Sequence, residues 1–317
     1  MKPNIVLFDT IHASGIDILK GFSNFSIAYG ADRKRTLELC ANANVIIIKS
    51  SIYIDRELIQ ASRKLNIVAR AGTGIDNIDI DFLNERKIKL FTSNTGNSIS
   101  AAEFTIMQIL NLQRKTKETI QRVANNDFRR HLFEGYELFG KIIGIVGYGN
   151  VGKLVAERLK VFGCKLICYD PEMSKERLEL EDNFKLTNQL EDLLKVADVI
   201  TIHARLNKFN RHMFSKKEFN LMKPGVQIVN TARADLIDQE ALVNAIKKNI
   251  VSHAALDVIS PEMPSELPPE DHSYSNFLLK NDRIFITPHI GASTIEAQKR
   301  ISLEISMKIR DYYEKRK

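Results

Sequence analysis

The stretch that most constrains this chain is Ile142-Ile143-Gly144-Ile145-Val146 running straight into Gly147-Tyr148-Gly149-Asn150-Val151-Gly152. An apolar run that ends in G-x-G-x-x-G and continues into Lys153–Leu159 predicts strand, tight turn and helix. Each glycine has a physical reason to be there. Gly147 permits the turn, Gly149 lets the backbone approach a pyrophosphate, and Gly152 lets the helix pack closely on the strand. The N–H groups and the dipole at the helix N-terminus, at Asn150, Val151 and Gly152, favour an anion. A second apolar run, Lys165–Tyr169, ends on Asp170, 21 residues after Gly149. An acid there accepts hydrogen bonds from the adenosine ribose, and no arginine stands beside it to welcome a 2′-phosphate. The stretch predicts a dinucleotide site, for NAD rather than NADP. Lys175 and Arg177, a few residues on, are the cations that would relax that preference.

A length of 317 residues suits two domains, each with a full core. Apolar content of 44% and charged content of 27% are those of an ordinary soluble globular protein. No run of eighteen apolar residues exists to span a membrane, and Ile5–Phe8, closed by Asp9, reads as a first strand rather than a signal peptide. The net charge of +7 comes from 46 basic residues interleaved with 39 acidic ones, without clustered aromatics. That pattern is a solvated basic surface that attracts small anions, not a nucleic-acid interface. Three cysteines (Cys40, Cys164, Cys168) make no disulfide framework and fit a reducing cytoplasm, and no metal-ligand spacing appears among Cys and His.

Residues 1 to 95 alternate strand and helix, with strands expected at 4–9, 25–29, 45–49, 67–70 and 89–92; such a pattern argues for a parallel sheet covered on both faces. Two strand ends stand out: Lys49-Ser50-Ser51, and Arg70-Ala71-Gly72-Thr73-Gly74-Ile75-Asp76, whose glycines could expose an anion-binding nest of N–H groups. One long helix is expected from Asn97 to about Arg122, capped by Ser98 or Ser100. Further strands are expected at 184–186, 199–203, 227–230, 253–257 and 283–287, with helices at 189–196 and 239–248. A proline-rich loop follows Asp257, and a last helix spans about 294–313, where it could return to the first domain. The fold class is α/β, with two doubly wound parallel sheets.

Three polar groups fall on strand-end or loop positions beyond the glycine turn: Arg233 after Ile228–Ala232, Glu262 in the loop after Asp257, and His289 in Pro288-His289-Ile290-Gly291. Together they suit hydride exchange between an alcohol and a carbonyl. A guanidinium can hold a carboxylate and polarise a carbonyl oxygen. An imidazole can exchange the hydroxyl proton, and a carboxylate behind it fixes its tautomer and favours its charged form. Taken singly, they read as a surface arginine, a loop glutamate and a capping histidine. Glu266 and Glu270 are the other acids of that loop.

With these residues in place, the chain resembles the D-isomer-specific 2-hydroxyacid dehydrogenases over that family's two-domain catalytic unit. The resemblance rests on Arg70–Asp79, Asn97–Glu103, Gly140–Gly152, Asn230-Thr231-Ala232-Arg233, Ala254–Val258 and Pro288–Thr294. It implies a Rossmann NAD domain, residues 96–289, inserted into a flavodoxin-like substrate domain, residues 1–95 and 290–317. It implies substrate binding by Arg233, acid/base work by His289 and a partner role for Glu262. It places Asp257 near the nicotinamide carboxamide, assigns His203, Thr231, Ala232 and Gly291 to the cofactor, and gives the substrate carboxylate to the Thr73 and Gly74 backbone. It also implies a homodimer formed through the cofactor domain.

R-A-G-T-G-I-D-N-I-D and G-N-S-I-S-A-A-E are the phrasing of the 3-phosphoglycerate dehydrogenase branch, here expected as a short form without the regulatory domain, in serine biosynthesis. Several positions depart from the family pattern. Asn94–Asn97 lacks a proline, Arg205 stands where proline is usual, Asn207 and Asn210 replace threonines, and Lys49 replaces an arginine. Lys49 and Arg70 are expected to serve a second anionic group on a small 2-hydroxy or 2-keto acid, unless Asp76 or Asp79 ties up Arg70. Arg129 and Arg130, otherwise solvated, match the stretch from which an arginine of that branch reaches the partner subunit's site. Competing readings are a glyoxylate or hydroxypyruvate reductase, which shares every catalytic residue, and an NAD-sensing corepressor-like binder.

Overall fold

The computed structural model describes residues 2–172, 180–181, 183–263, 268, 270 and 272–315. These form two compact units, one of residues 1–99 with 293–317 and one of residues 100–292.

The first unit begins β1 (Asn4–Leu7), α1 (Ala13–Phe22), β2 (Asn24–Ile27), α2 (Arg33–Cys40), β3 (Val45–Ile48), α3 (Arg56–Ala61), β4 (Ile67–Arg70), α4 (Ile80–Glu85) and β5 (Lys89–Thr92). All five strands are parallel, in the order β2-β1-β3-β4-β5, the flavodoxin-like winding. Val45-Ile46-Ile47-Ile48 is wholly buried, as an uninterrupted β-branched run must be when helices cover both faces. Helix starts are set by aspartate side chains: Asp32 accepts from Arg35 N at 2.7 Å, Asp55 from Leu58 N at 2.9 Å and Asp79 from Phe82 N at 2.9 Å.

Helix α5 (Ser98–Gln113) leads into the second unit and is followed by α6 (Thr116–Ala124). The single helix expected over 97–122 is therefore two. Lys115 adopts the left-handed region, φ +49°, and the Gln113 carbonyl accepts the Tyr136 N–H at 2.9 Å instead of continuing the helix. Ser98 is already inside the first turn of α5.

The rest of that unit is β6 (Ile142–Val146), α7 (Asn150–Val161), β7 (Lys165–Tyr169), β8 (Leu180–Glu181), β9 (Phe184–Thr187), α8 (Leu190–Leu194), β10 (Val199–Ile202), α9 (Lys216–Leu221), β11 (Val226–Asn230), α10 (Gln239–Lys247), β12 (Val251–Leu256) and β13 (Ile284–Ile286). Strand order is β13-β12-β11-β10-β6-β7-β9-β8, parallel except for the antiparallel edge strand β8. This is a Rossmann winding around β6. The sheet has a core on each face, and successive strand residues feed alternate cores: Ile228 one, Val229 the other. α9, which sequence periodicity does not mark, starts on a capping box between Ser215 and Glu218. Finally α11 (Ile295–Glu314), capped by Thr294, belongs to the first unit and packs on α1. A Cβ on Gly15 would lie 2.8 Å from the Ser302 Cβ, so the glycine lets the two helices touch.

Candidate active site

The glycine turn takes the form its spacing predicts. Gly147 sits at φ +94°, and a Cβ there would come within 2.6 Å of the Ala204 backbone, so two independent constraints demand glycine. A Cβ on Gly152 would overlap the Gly147 carbonyl oxygen. Beside Gly149, by contrast, a Cβ would meet nothing within 4 Å: its glycine leaves open space, not room for a protein neighbour. Gly149 is also the N-cap of α7 and supplies no side-chain acceptor to the N–H groups of the first turn. An open face at an uncapped helix N-terminus suits the pyrophosphate of NAD. Asp170 accepts from Tyr148 N at 3.0 Å and from Glu172 N at 3.1 Å, which aims its carboxylate along the turn. Lys175 and Arg177 lie outside the described residues.

His203, at the end of β10, bonds through Nε2 to the Thr201 hydroxyl at 2.9 Å, and burial pushes its imidazole down to about 3. It is a neutral hydrogen-bonding group at physiological pH. The loop beyond it is clamped by the two asparagines that depart from the family pattern. Asn210 Oδ1 accepts from Asn207 N at 2.7 Å, Asn207 Oδ1 accepts from Phe209 N at 2.8 Å, and Asn210 Nδ2 donates to the Arg205 carbonyl at 2.7 Å.

Arg233, Glu262 and His289 follow the carboxyl ends of β11, β12 and β13, which are neighbours in the sheet. Within the second unit, His289 Nδ1 and Glu262 Oε1 stand 2.7 Å apart. A carboxylate only accepts, so Nδ1 carries the proton and Nε2 is left as the working nitrogen. The histidine backbone is itself in the left-handed region, φ +56°, a conformation costly for a residue with a Cβ. Asp257 holds it there. Its carbonyl accepts His289 N at 2.9 Å, and its carboxylate accepts Ile290 N at 3.0 Å, Gly291 N at 2.7 Å and the Thr287 hydroxyl at 2.6 Å. Asp257 is only 1% exposed, so its carboxylate faces the His289 loop rather than open solvent. A Cβ on Gly291 would make a tight 3.0 Å contact with the Asp257 carboxylate.

Arg233 is set by the turn after β11. The buried Asn230 side chain accepts Ala232 N at 3.0 Å and donates to the Arg233 carbonyl at 2.9 Å, while Thr231 pairs with Thr105 at 2.9 Å. Upstream of Glu262, across a cis Ser260–Pro261 bond, three side chains that sequence reasoning missed hold the loop: Gln239, Tyr274 and Asn276. No local pattern marks them; Gln239 follows the α10 cap Asp238, and the other two lie in the irregular loop. Of the alternative acids, Glu270 is exposed and Glu266 lies outside the described residues.

In the first unit, the N–H groups of Thr73 and Gly74 make no hydrogen bond among the described residues, and the Thr73 hydroxyl bonds Ser93 O at 3.0 Å and Asn97 Oδ1 at 3.1 Å. A Cβ on Gly72 would overlap the Arg70 guanidinium, which therefore lies folded over this turn. Lys49 donates to Gln298 Oε1 at 2.6 Å. Arg129 forks onto Asp127 at 2.8 and 2.9 Å, and Arg129, with Arg122, holds that carboxyl well below the usual range. Arg129 is thus engaged locally, and Arg130 is the member of that pair beside the Phe133–Phe139 groove.

The family model described as D-isomer specific 2-hydroxyacid dehydrogenase, NAD binding domain, matches residues 106–291. A D-3-phosphoglycerate dehydrogenase of Methanocaldococcus jannaschii is 36% identical over 93% of this chain and 54% of its own length. The chain spans about half the length of the phosphoglycerate dehydrogenases it matches. A hydroxypyruvate reductase of Thermotoga maritima is 34% identical over 88% of this chain and 87% of its own. Among solved structures, a D-lactate dehydrogenase from Aquifex aeolicus, complexed with NAD and lactic acid, superposes with a TM-score of 0.86 at 27% identity, covering 98% of this chain and 95% of that one.

Proposed function

The chain belongs to the D-isomer-specific 2-hydroxyacid dehydrogenase family, and from that premise we propose that it interconverts a D-2-hydroxy acid and its 2-keto acid with NAD, most readily 3-phosphoglycerate and 3-phosphohydroxypyruvate, a step toward serine. The observation that carries this reading is the 2.7 Å His289–Glu262 pair at the carboxyl end of the dinucleotide sheet. Residues 100–292 act as the cofactor unit, and residues 1–99 with 293–317 as the substrate unit. NAD, when bound, supplies the hydride chemistry. Gly147, Gly149, Asn150, Val151 and Gly152 receive its pyrophosphate, Asp170 its ribose, and His203, Thr231, Ala232, Asp257 and Gly291 border its nicotinamide end.

The chain's own groups then divide the work. Arg233 holds the substrate carboxylate and polarises the carbonyl oxygen. His289 Nε2 takes the hydroxyl proton in oxidation and returns it in reduction, while Glu262 holds Nδ1–H and keeps the ring in place. Thr73 and Gly74 offer N–H groups to a carboxylate, and Lys49 and Arg70 supply positive charge to the substrate's far anionic group. The protein works as a homodimer built on the cofactor unit. All three cysteines are free and buried, in keeping with a reducing cytoplasm.

The second reading is a hydroxypyruvate or glyoxylate reductase, favoured by the T. maritima relative, 34% identical over 88% of this chain. A panel of 2-hydroxy and 2-keto acids with NAD(H), followed at the nicotinamide absorbance, separates them. Preference for 3-phosphoglycerate, with KM raised by Lys49→Ala and Arg70→Ala more than for unphosphorylated acids, supports the first. Turnover of hydroxypyruvate or glyoxylate without 3-phosphoglycerate overturns it in favour of the second. No turnover at all, with NAD still bound, leaves the corepressor-like reading.

A further inference from the structure

Glu262 poses a physical problem that the catalytic reading leaves open. Its side chain is 63% exposed and that of its partner His289 41%. With both side chains this open to water, the geometry of the 2.7 Å contact depends on the backbone that carries them. The backbone beneath must be held.

Residues 260 and 261 are held by side chains from two other segments. The Gln239 amide pairs with Ser260 in both directions, Nε2 donating to Ser260 O at 2.7 Å and Oε1 accepting Ser260 N at 3.1 Å. Asn276, 7% exposed, donates a second bond to Ser260 O at 3.1 Å, and its own Oδ1 is fixed by Leu278 N at 2.9 Å. The Tyr274 hydroxyl donates to Pro261 O at 2.6 Å. Gln239 is not free to drift, because it is the first residue of α10, whose N-cap Asp238 accepts Ala241 N at 3.0 Å. The chain thus runs from a capped helix, through an amide clamp, to the residue two before Glu262.

We propose that Gln239, with Tyr274, is a positioning residue that sets the Glu262 backbone so that its carboxylate reaches His289 Nδ1. The inference rests on the assignment of Glu262 and His289 as the acid/base pair. It predicts that Gln239→Met, which keeps length and helix propensity but removes both bonds, lowers kcat about 10- to 100-fold, the scale expected for a reacting group misplaced by about 1 Å. The NAD dissociation constant should stay within about twofold, because the glycine turn is untouched. The loss should fall on kcat with KM changed little, because the acid/base pair acts in the transition state and not in substrate binding. Tyr274→Phe, the milder variant, should lower kcat the same way by less.

The deciding measurement is a double-mutant cycle with Glu262→Gln, using steady-state kcat and KM, NAD titration and thermal melts as folding control. If the clamp works through Glu262, Gln239→Met adds little to the kcat loss in the Glu262→Gln background. Additive losses in the cycle, or losses in Gln239→Met that fall on KM and not on kcat, overturn the proposal and leave the clamp as a stabilising contact. Glu262→Gln with an unchanged kcat would instead remove the underlying assignment, a result distinguishable because it appears in the single variant.

Discussion

At the scale of single residues, chemistry here depends on which nitrogen or oxygen is left over after the protein has used the others. Glu262 occupies Nδ1 of His289 and leaves Nε2; His289→Ala should therefore lower kcat by about two to four orders of magnitude while NAD binding survives. Near-normal turnover in that variant would exclude the assignment. Asp170 has its carboxylate oriented by two backbone N–H groups but retains lone pairs for the ribose. Asp170→Ala should narrow a strong NAD over NADP preference, and a parent protein that uses both equally contradicts the reading. His203 gives a pH test. Its folded value of about 3 lies below its ordinary value of 6.5, because burial opposes the charge. The unfolded chain therefore binds the extra proton between those values, so the contribution is fully present above 6.5 and is lost as pH falls toward 3. In urea titrations at pH 7 and at pH 4.5, His203→Asn should lose less stability than the parent. Equal losses would show that this imidazole is not the group responsible.

At the scale of elements, the strand–turn–helix unit from β6 to α7 is the most tightly specified part of the chain. Gly152→Ala places a methyl against the Gly147 carbonyl oxygen inside a packed turn. Overpacking of this kind should cost about 1–3 kcal/mol, seen as a lower urea midpoint together with weakened NAD binding. A stable variant with normal NAD affinity would mean that the helix can shift without consequence. Other elements were less legible. The 97–122 stretch keeps helical periodicity throughout, yet the chain breaks at Lys115 because a distant N–H, that of Tyr136, takes the Gln113 carbonyl. α9 is a short helix announced by its capping box and not by its periodicity.

For the whole molecule, the second unit presents apolar surface that a monomer would leave wet. α6 buries none of its residues and exposes Ile120 and Val123 at 63% and 45%, and Phe139 is 78% exposed beside Tyr136 in a groove with Phe133 and Phe162. We propose this surface as the one through which the dimer forms. Light scattering should find a dimer, and Ile120→Lys with Phe139→Asp should yield monomers of reduced activity. A parent protein that is monomeric at micromolar concentration would exclude this use of the surface. No helix among the described residues is long and apolar enough to cross a membrane.

Much of this protein is determined by order along the chain alone. The alternation of short β-branched runs with helices leads to two parallel sheets, because such strands can be buried on both faces only under helices. The glycines at 147, 149 and 152 and the acid at 170 define a dinucleotide turn through local geometry. Arg233, Glu262 and His289 could be named because they stand just beyond strands. What only the tertiary structure decided is how those groups are held. Asp257 reaches across 34 residues to Gly291 and fixes a strained histidine backbone, and Gln239 reaches 21 residues to Ser260. Such bonds join segments whose separation has no period, so no local pattern carries them; they exist because the sheet brings β11, β12 and β13 side by side.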